Sequence, residues 1–142
     1  IVSKAAAYVP EATVEGVLVQ AMTGEGIEAI LGAKHEAPFG PVVMIGLGGI
    51  LAEALASVSV RPVPLARLDA EQMIDECGLG ALLASARTGR PGDRAAVVAA
   101  ILGLSRLMMD HGERIRELDV NPLRVLREGD GALMLDALIV TR

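Results

Sequence analysis

The sequence predicts an α+β fold, mainly an antiparallel sheet flanked by helices, and three observations predict it. Runs rich in β-branched residues are punctuated by hairpin-type turns, Thr23-Gly24-Glu25-Gly26 and Glu128-Gly129-Asp130-Gly131. Two segments open on acidic residues suited to helix capping, Asp69 and Asp93, and the second continues with an apolar stripe at helical spacing. Near the C-terminus, Glu117-Leu118-Asp119-Val120-Asn121-Pro122-Leu123 alternates polar and apolar residues, as a strand with one buried face does.

Taken in order, residues 14–22 read as a strand that turns at 23–26 into a return strand over 27–33, with Glu28 exposed or functional. Residues 35–41 carry two prolines and a glycine and read as a loop. Val42-Val43-Met44-Ile45 is a continuous apolar strand, buried on both faces. Gly46-Leu47-Gly48-Gly49 follows, and a helix starts over 50–55. Residues 58–63 form a short strand whose pairing is limited by Pro62 and, just after it, Pro64.

Asp69 is the expected N-cap of the next helix, with Gln72 completing a capping box and Leu68 against Met73 as a staple; Gly78 ends it. Residues 79–86 are apolar and helical, and 87–92 form a loop carrying Arg87 and Arg90. Asp93 caps the longest helix, where Val97, Val98, Ile101, Leu104, Ser105 and Met108 make the buried stripe. Met108 and Met109 read as core, and Asp110-His111-Gly112 closes the helix.

The 142 residues make one domain or a piece of a larger one. A net charge of −5 and a pI of about 5.0 argue against a nucleic-acid partner, and Tyr8 and Phe39 alone offer no stacking platform. The longest apolar run, 42–52, stops at Glu53 and is too short for a bilayer, so no membrane partner is expected. The single Cys77 fits a reducing cytoplasm. With neither an initiator Met nor a signal peptide, residues 1–142 are expected to be a partial domain excised from a longer chain.

Glu117, Asp119 and Asn121 share one strand face, and the 128–131 hairpin can return Asp136 beside them. Such a row of oxygen donors suits Mg²⁺, which takes one or two protein ligands and fills its shell with water and phosphate. It equally describes a solvated strand face. The glycine-rich turn at 46–49 lies between a strand and a helix, so it points backbone N–H groups at an anion or is a tight turn needing positive φ. Leu51 excludes a dinucleotide fingerprint, and the absence of a following Gly-Lys-Ser/Thr excludes a P-loop. Glu53 is a dipole-compensating residue or a site residue. Arg61 and Arg87 are surface residues or phosphate forks. His35, in a loop, and His111, at a helix end, lack partners for catalysis, and Cys77 reads as inert packing.

Three segments carry a family resemblance: Gly16-Val17-Leu18-Val19-Gln20-Ala21-Met22, Phe39-Gly40-Pro41-Val42-Val43-Met44-Ile45-Gly46-Leu47-Gly48-Gly49, and Glu117-Leu118-Asp119-Val120-Asn121-Pro122-Leu123. With these in order, nearly the whole chain resembles the C-terminal part of the ATP-grasp domain of NDP-forming acyl-CoA synthetases. The resemblance implies a nucleotide, ATP or ADP, held with Mg²⁺ between two α+β lobes, of which this is the distal one. It implies the reversible reaction of acyl-CoA, ADP and phosphate to acid, CoA and ATP, through an acyl phosphate and a phosphohistidine. By position Asn121 and Asp136 match metal ligands, and Asp119 matches an acidic position near phosphoryl transfer. Gly46, Gly48, Gly49 and Glu53 match the glycine-rich turn and its following glutamate. Partners implied are the remaining ATP-grasp lobe and the CoA-binding domains of the parent; alone, the chain is expected to be inert.

Neither histidine matches the phosphorylated one. Departures are Glu36-Ala37 for the usual Asp-Pro, Ser57 for an acid, and Leu138 for a frequent Arg after Asp136. Two other readings stay open: a regulatory synthetase-like domain of a protein lysine acetyltransferase, and a structural interaction module.

Overall fold

The computed structural model describes residues 1–9, 11–49, 57–85 and 91–142. Its elements are α1 (Val2–Tyr8), β1 (Ile27–Glu36), β2 (Gly40–Leu47), β3 (Val58–Pro62), α2 (Arg67–Glu76), α3 (Leu79–Ala84), α4 (Arg94–His111), β4 (Ile115–Val125), β5 (Ala132–Met134) and β6 (Ala137–Thr141). The strands form one six-stranded antiparallel sheet in the order β3-β2-β1-β4-β5, with β6 also paired to β4.

β1 is central. It runs against β2 from Ala29↔Leu47 to Glu36↔Gly40, and against β4 from Ile27↔Val125 to Lys34↔Glu117. Alternate side chains therefore separate cleanly. Ala29, Leu31, Ala33, Val43, Ile45, Leu47, Leu118, Val120, Leu123 and Val125 join the core with Met73, Ile74, Val97, Ile101 and Met108 from the helices. Among the described residues the helices cover only this face; Glu28, Gly32, Lys34, Met44, Glu117, Asp119, Asn121 and Arg124 belong to the other.

Several expectations are corrected by this arrangement. Residues 14–22 form no strand, and Val17, Leu18, Val19 and Met22 are exposed. The reason is that β2 and β4 occupy both hydrogen-bonding edges of β1, so the proposed hairpin partner has no edge left. β1 and β2 extend further than anticipated, which puts His35 in a strand opposite Pro41 rather than in a loop. Pro62 sits on the edge strand β3, where a missing N–H costs no ladder bond.

In α2 the N-cap is Ala66; Asp69 is the third helical residue and accepts a bond from the Ala66 N–H at 2.7 Å, so it closes half a capping box from the other end. Leu68 is exposed and makes no staple. Gly78, with φ 79°, ends α2 as anticipated. The buried stripe of α4 is the one read from the sequence, but Met109 points to solvent. The helix expected over 50–55 and the loop arginines Arg87 and Arg90 lie outside the described residues.

Asp93 ties the helix layer to the sheet. One carboxylate oxygen accepts the Ala96 N–H at 2.9 Å and caps α4; the other accepts from Gly129 and Gly131 at 3.0 Å each, holding the β4–β5 turn. These backbone N–H groups, that of Ala96 foremost, hold the carboxyl below its ordinary value of 3.8. Arg94 then forks onto Asp75 at 2.7 and 2.9 Å and locks α4 to α2.

Replacing Asp93 by Ala is expected to cost about 1–2 kcal/mol in urea unfolding at neutral pH. Because the folded pKa is depressed, that contribution is present above 3.8 and lost as pH falls through the folded value. The stability gap between wild type and Asp93→Asn should therefore close in acid.

Candidate functional site

The uncovered face of the sheet collects the polar residues. Alternation in β4 turns Leu118 and Val120 to the core and Glu117, Asp119 and Asn121 outward. Between Val120↔Leu31 and Leu123↔Ala29 the register with β1 shifts, so Asn121 and Pro122 form a bulge. That bulge faces the β5–β6 bend on its other side. The Asn121 N–H donates to the Asp136 carbonyl at 3.1 Å, and the Leu135 N–H donates to the Pro122 carbonyl at 3.0 Å. Asn121 and Asp136, both exposed, are thus neighbours, as the hairpin expectation required.

Asp119 is half-buried in the middle of the face, opposite Gly32 on one side and Leu138 on the other. Gly32 leaves a notch there: a Cβ on it would lie 3.4 Å from Met44 Cε and 3.9 Å from Asp119 Oδ1. The notch belongs to a depression of about 320 Å³ lined by Gly32, Lys34, Met44, Val60, Glu117 and Asp119. Glu117 sits across from Lys34. Four residues along a strand, it is ~13 Å from Asn121, too far to share a cation with it.

Each glycine of the turn has a steric reason. Gly46 pairs with Val58, whose Cγ1 would be 2.8 Å from an added Cβ. Gly48 donates its N–H to the Glu28 carbonyl at 2.9 Å, and its own Cβ would fall 2.8 Å from the Glu28 carbonyl carbon. Gly49 has φ 62° and lies against the Glu28 carboxylate. Across β1, Ile30 pairs with Gly46 and also faces the bulge, which puts the turn and Asn121 about two strand spacings, ~10 Å, apart. Glu53 lies outside the described residues.

Sequence reading missed Arg124. Its guanidinium meets Glu28 at 2.5 Å and the Gly24 carbonyl at 3.0 Å, on the uncovered face beside the glycine turn. Alternation carried on from Asn121 would send Arg124 inward; the bulge shifts the phase by one, and the signal in the sequence was the apolar pair Leu123 and Val125 on either side of Arg124. Arg61 does not fork a phosphate here: it pairs with Glu76, which also accepts from the Ser59 hydroxyl at 2.6 Å, on the helix-covered side. The Ser59 hydroxyl first, then Arg61, holds the Glu76 carboxyl below its ordinary range. Cys77 is fully buried, and burial pushes its thiol up, consistent with inert packing.

Among the described residues no cluster of three or more His, Cys, Asp or Glu could cage a metal. An exposed amide and an exposed carboxylate on residues whose backbones are hydrogen-bonded, as Asn121 and Asp136 are, do fit Mg²⁺, which keeps most of its shell as water and phosphate. No helix among the described residues is long and apolar enough to cross a membrane.

An α+β lobe with a bare polar face, a glycine turn and paired oxygen donors across one strand is the architecture of a nucleotide-grasping domain. A family model described as an ATP-grasp domain matches residues 1–141, and the chain belongs to that family. It is 40% identical over 135 residues to the acetate–CoA ligase (ADP-forming) II subunit beta of Pyrococcus furiosus, covering 95% of this chain and 57% of that one. It is 39% identical over 139 residues to the 4-hydroxybutyrate–CoA ligase (ADP-forming) of Nitrosopumilus maritimus, covering 98% and 20%. A solved structure of the dinucleotide-forming acetyl-coenzyme A synthetase 1 of Ca. Korarchaeum cryptofilum, in complex with coenzyme A and Mg-AMPPCP and with its phosphohistidine segment pointing towards the nucleotide binding site, superposes with a TM-score of 0.77. That match has 37% identity and covers 84% of this chain and 55% of that one. The chain spans between a fifth and three-fifths of these proteins.

Gly48→Ala should destabilise the protein by at least ~2 kcal/mol, since the new methyl meets backbone rather than a movable side chain. Gly32→Ala, at ordinary contact distances, should leave the thermal midpoint nearly unchanged. Differential scanning calorimetry of the two variants checks both.

Proposed function

We propose that residues 1–142 are the distal lobe of an ATP-grasp domain in an ADP-forming acyl-CoA synthetase-like protein. The lobe supplies the Mg²⁺ and phosphate edge of the nucleotide site in the conversion of acyl-CoA, ADP and phosphate to acid, CoA and ATP. The observation that carries this reading is the placement of Asn121 beside Asp136, facing the glycine turn across β1 on the bare side of the sheet. The relatives' names support the reaction class, and their different acyl groups leave the substrate acid open.

Phosphoryl transfer asks a protein mainly to position groups and neutralise charge. Asn121 Oδ1 and the Asp136 carboxylate are the groups that hold Mg²⁺, which when bound screens the charge of the phosphate oxygens. The turn at Gly46, Gly48 and Gly49 packs against β1 and β3 more closely than residues with a Cβ could, and in this reading that fixes its backbone beside the phosphate. Asp119, next along the face from Asn121, orients the polar group that exchanges the phosphoryl. The notch over Gly32 keeps that carboxylate approachable. Glu53 is a candidate site residue in this reading by its match to the family motif alone.

His35 and His111 lie in β1 and at the end of α4, away from this row, so the phosphohistidine belongs to another part of the parent. The other lobe and the CoA-binding domains are the partners, and the site of action in this reading is the cytoplasm, which suits the free Cys77.

In the full-length protein, Asn121→Ala combined with Asp136→Ala should abolish ATP formation from acyl-CoA, ADP and phosphate; full activity in that double variant refutes the metal assignment. Residues 1–142 alone should show no turnover of acetyl-CoA, ADP and phosphate, because half of the cleft is missing.

A further inference from the structure

The ion pair between Glu28 and Arg124 is the least exposed of those among the described residues, with side chains 30% and 22% accessible. It stands at a junction. Glu28 receives the Gly48 N–H on its backbone carbonyl at 2.9 Å, and its second carboxylate oxygen lies 2.9 Å from where a Cβ of Gly49 would be. Arg124 follows the Asn121–Pro122 bulge by two residues and pairs with Glu28 in register, beside the first regular pair past the bulge, Ala29↔Leu123. A second guanidinium nitrogen donates to the Gly24 carbonyl at 3.0 Å, so the segment entering β1 is gripped as well. Gly26 is crowded against the same side chain, its Cβ position falling 2.7 Å from Arg124 Cγ.

A slip of the β1–β4 pairing by one residue would turn Asn121 to the other face. Gly46 and Leu47 are held in the ladder with β1, and the last two residues of the turn meet β1 at Glu28, Gly48 at its backbone carbonyl and Gly49 at its carboxylate. One charged pair therefore fixes two things at once: where the turn stands, and where the bulge presents Asn121. A fork of hydrogen bonds to a carboxylate suits that task, because it fixes direction as well as distance. Among the described residues the buried Arg124 Nε has no hydrogen-bond partner, a cost that an exposed surface pair would not carry.

The geometry points to Glu28 and Arg124 as positioning residues that set the glycine-rich turn and the Asn121 bulge at the spacing needed by one Mg²⁺–nucleotide. The inference rests on the nucleotide reading above. Neither residue touches the metal or the phosphates in it; they act through Gly48, Gly49 and Asn121.

The test uses the full-length protein and titrates Mg·ADP into Glu28→Gln, Arg124→Met, the double variant and Asp136→Ala, with thermal unfolding recorded for each. Glu28→Gln keeps the shape and a hydrogen bond, so it carries the test on its own should thermal unfolding show that Arg124→Met loses the fold. Each single variant should weaken Mg·ADP by on the order of tenfold, as misplacement of a binding group does. The double variant should be no weaker than the worse single, because both remove one interaction. Coenzyme A affinity, measured in the same samples, should not move. A lowered melting temperature with unchanged Mg·ADP affinity in Glu28→Gln overturns the inference and leaves the pair a structural strut. If Asp136→Ala also leaves Mg·ADP binding intact, the nucleotide reading itself fails; if Asp136→Ala weakens it and Glu28→Gln does not, only the positioning role fails.

Discussion

The rest of the structure depends on the double pairing of β1. A strand hydrogen-bonded on both edges cannot shift without breaking two ladders, and β1 shares its residues with β2 on one side and β4 on the other. That constraint sends Ala29, Leu31 and Ala33 into the core and Glu28, Gly32 and Lys34 to the bare face. It also puts the glycine turn at the end of β2 level with the bulge of β4, because both are read against the same residue, Ile30. The candidate site on this lobe is consequently a property of registration.

One-sided coverage is the second constraint. The helices α2 and α4 bury one face through Met73, Ile74, Val97, Ile101 and Met108, and the Asp93 carboxylate clamps the start of α4 to the β4–β5 turn. The opposite face keeps an open depression and a row of carboxylates. A sheet face left bare in an antiparallel lobe is ordinary when it meets water. Here it also carries exposed apolar side chains such as Val58, Val60 and Leu138, which suits a surface that closes on a second lobe around a ligand.

The sequence made much of the site legible because period-two alternation is strict. Leu118 and Val120 being apolar forces Glu117, Asp119 and Asn121 outward wherever the strand lies, and the 128–131 turn can only return the chain antiparallel to it. Ranking within that row was another matter. Asp136 joins Asn121 through a bulge that no periodicity announces, and Glu117 drops out only once its distance along the strand and its register opposite Lys34 are known. Arg61, by sequence a surface residue or a phosphate fork, pairs with Glu76, since an edge strand's inward side chains meet the helix beneath. Residues 14–22 have strand composition without a strand partner, which composition cannot reveal.

By itself, then, the sequence determined the α+β class, the buried stripe of α4, the strand alternation around Asn121 and the family to which the motifs belong. These are local or periodic properties, written in side-chain order. Only the tertiary structure decided that β1 lies between β2 and β4, that Gly46 and Gly48 are glycines because Val58 and Glu28 crowd them, and that Glu28 meets Arg124 across the sheet. Those are contacts between residues far apart in the chain, and their identity depends on register, which a single residue's slip would reverse.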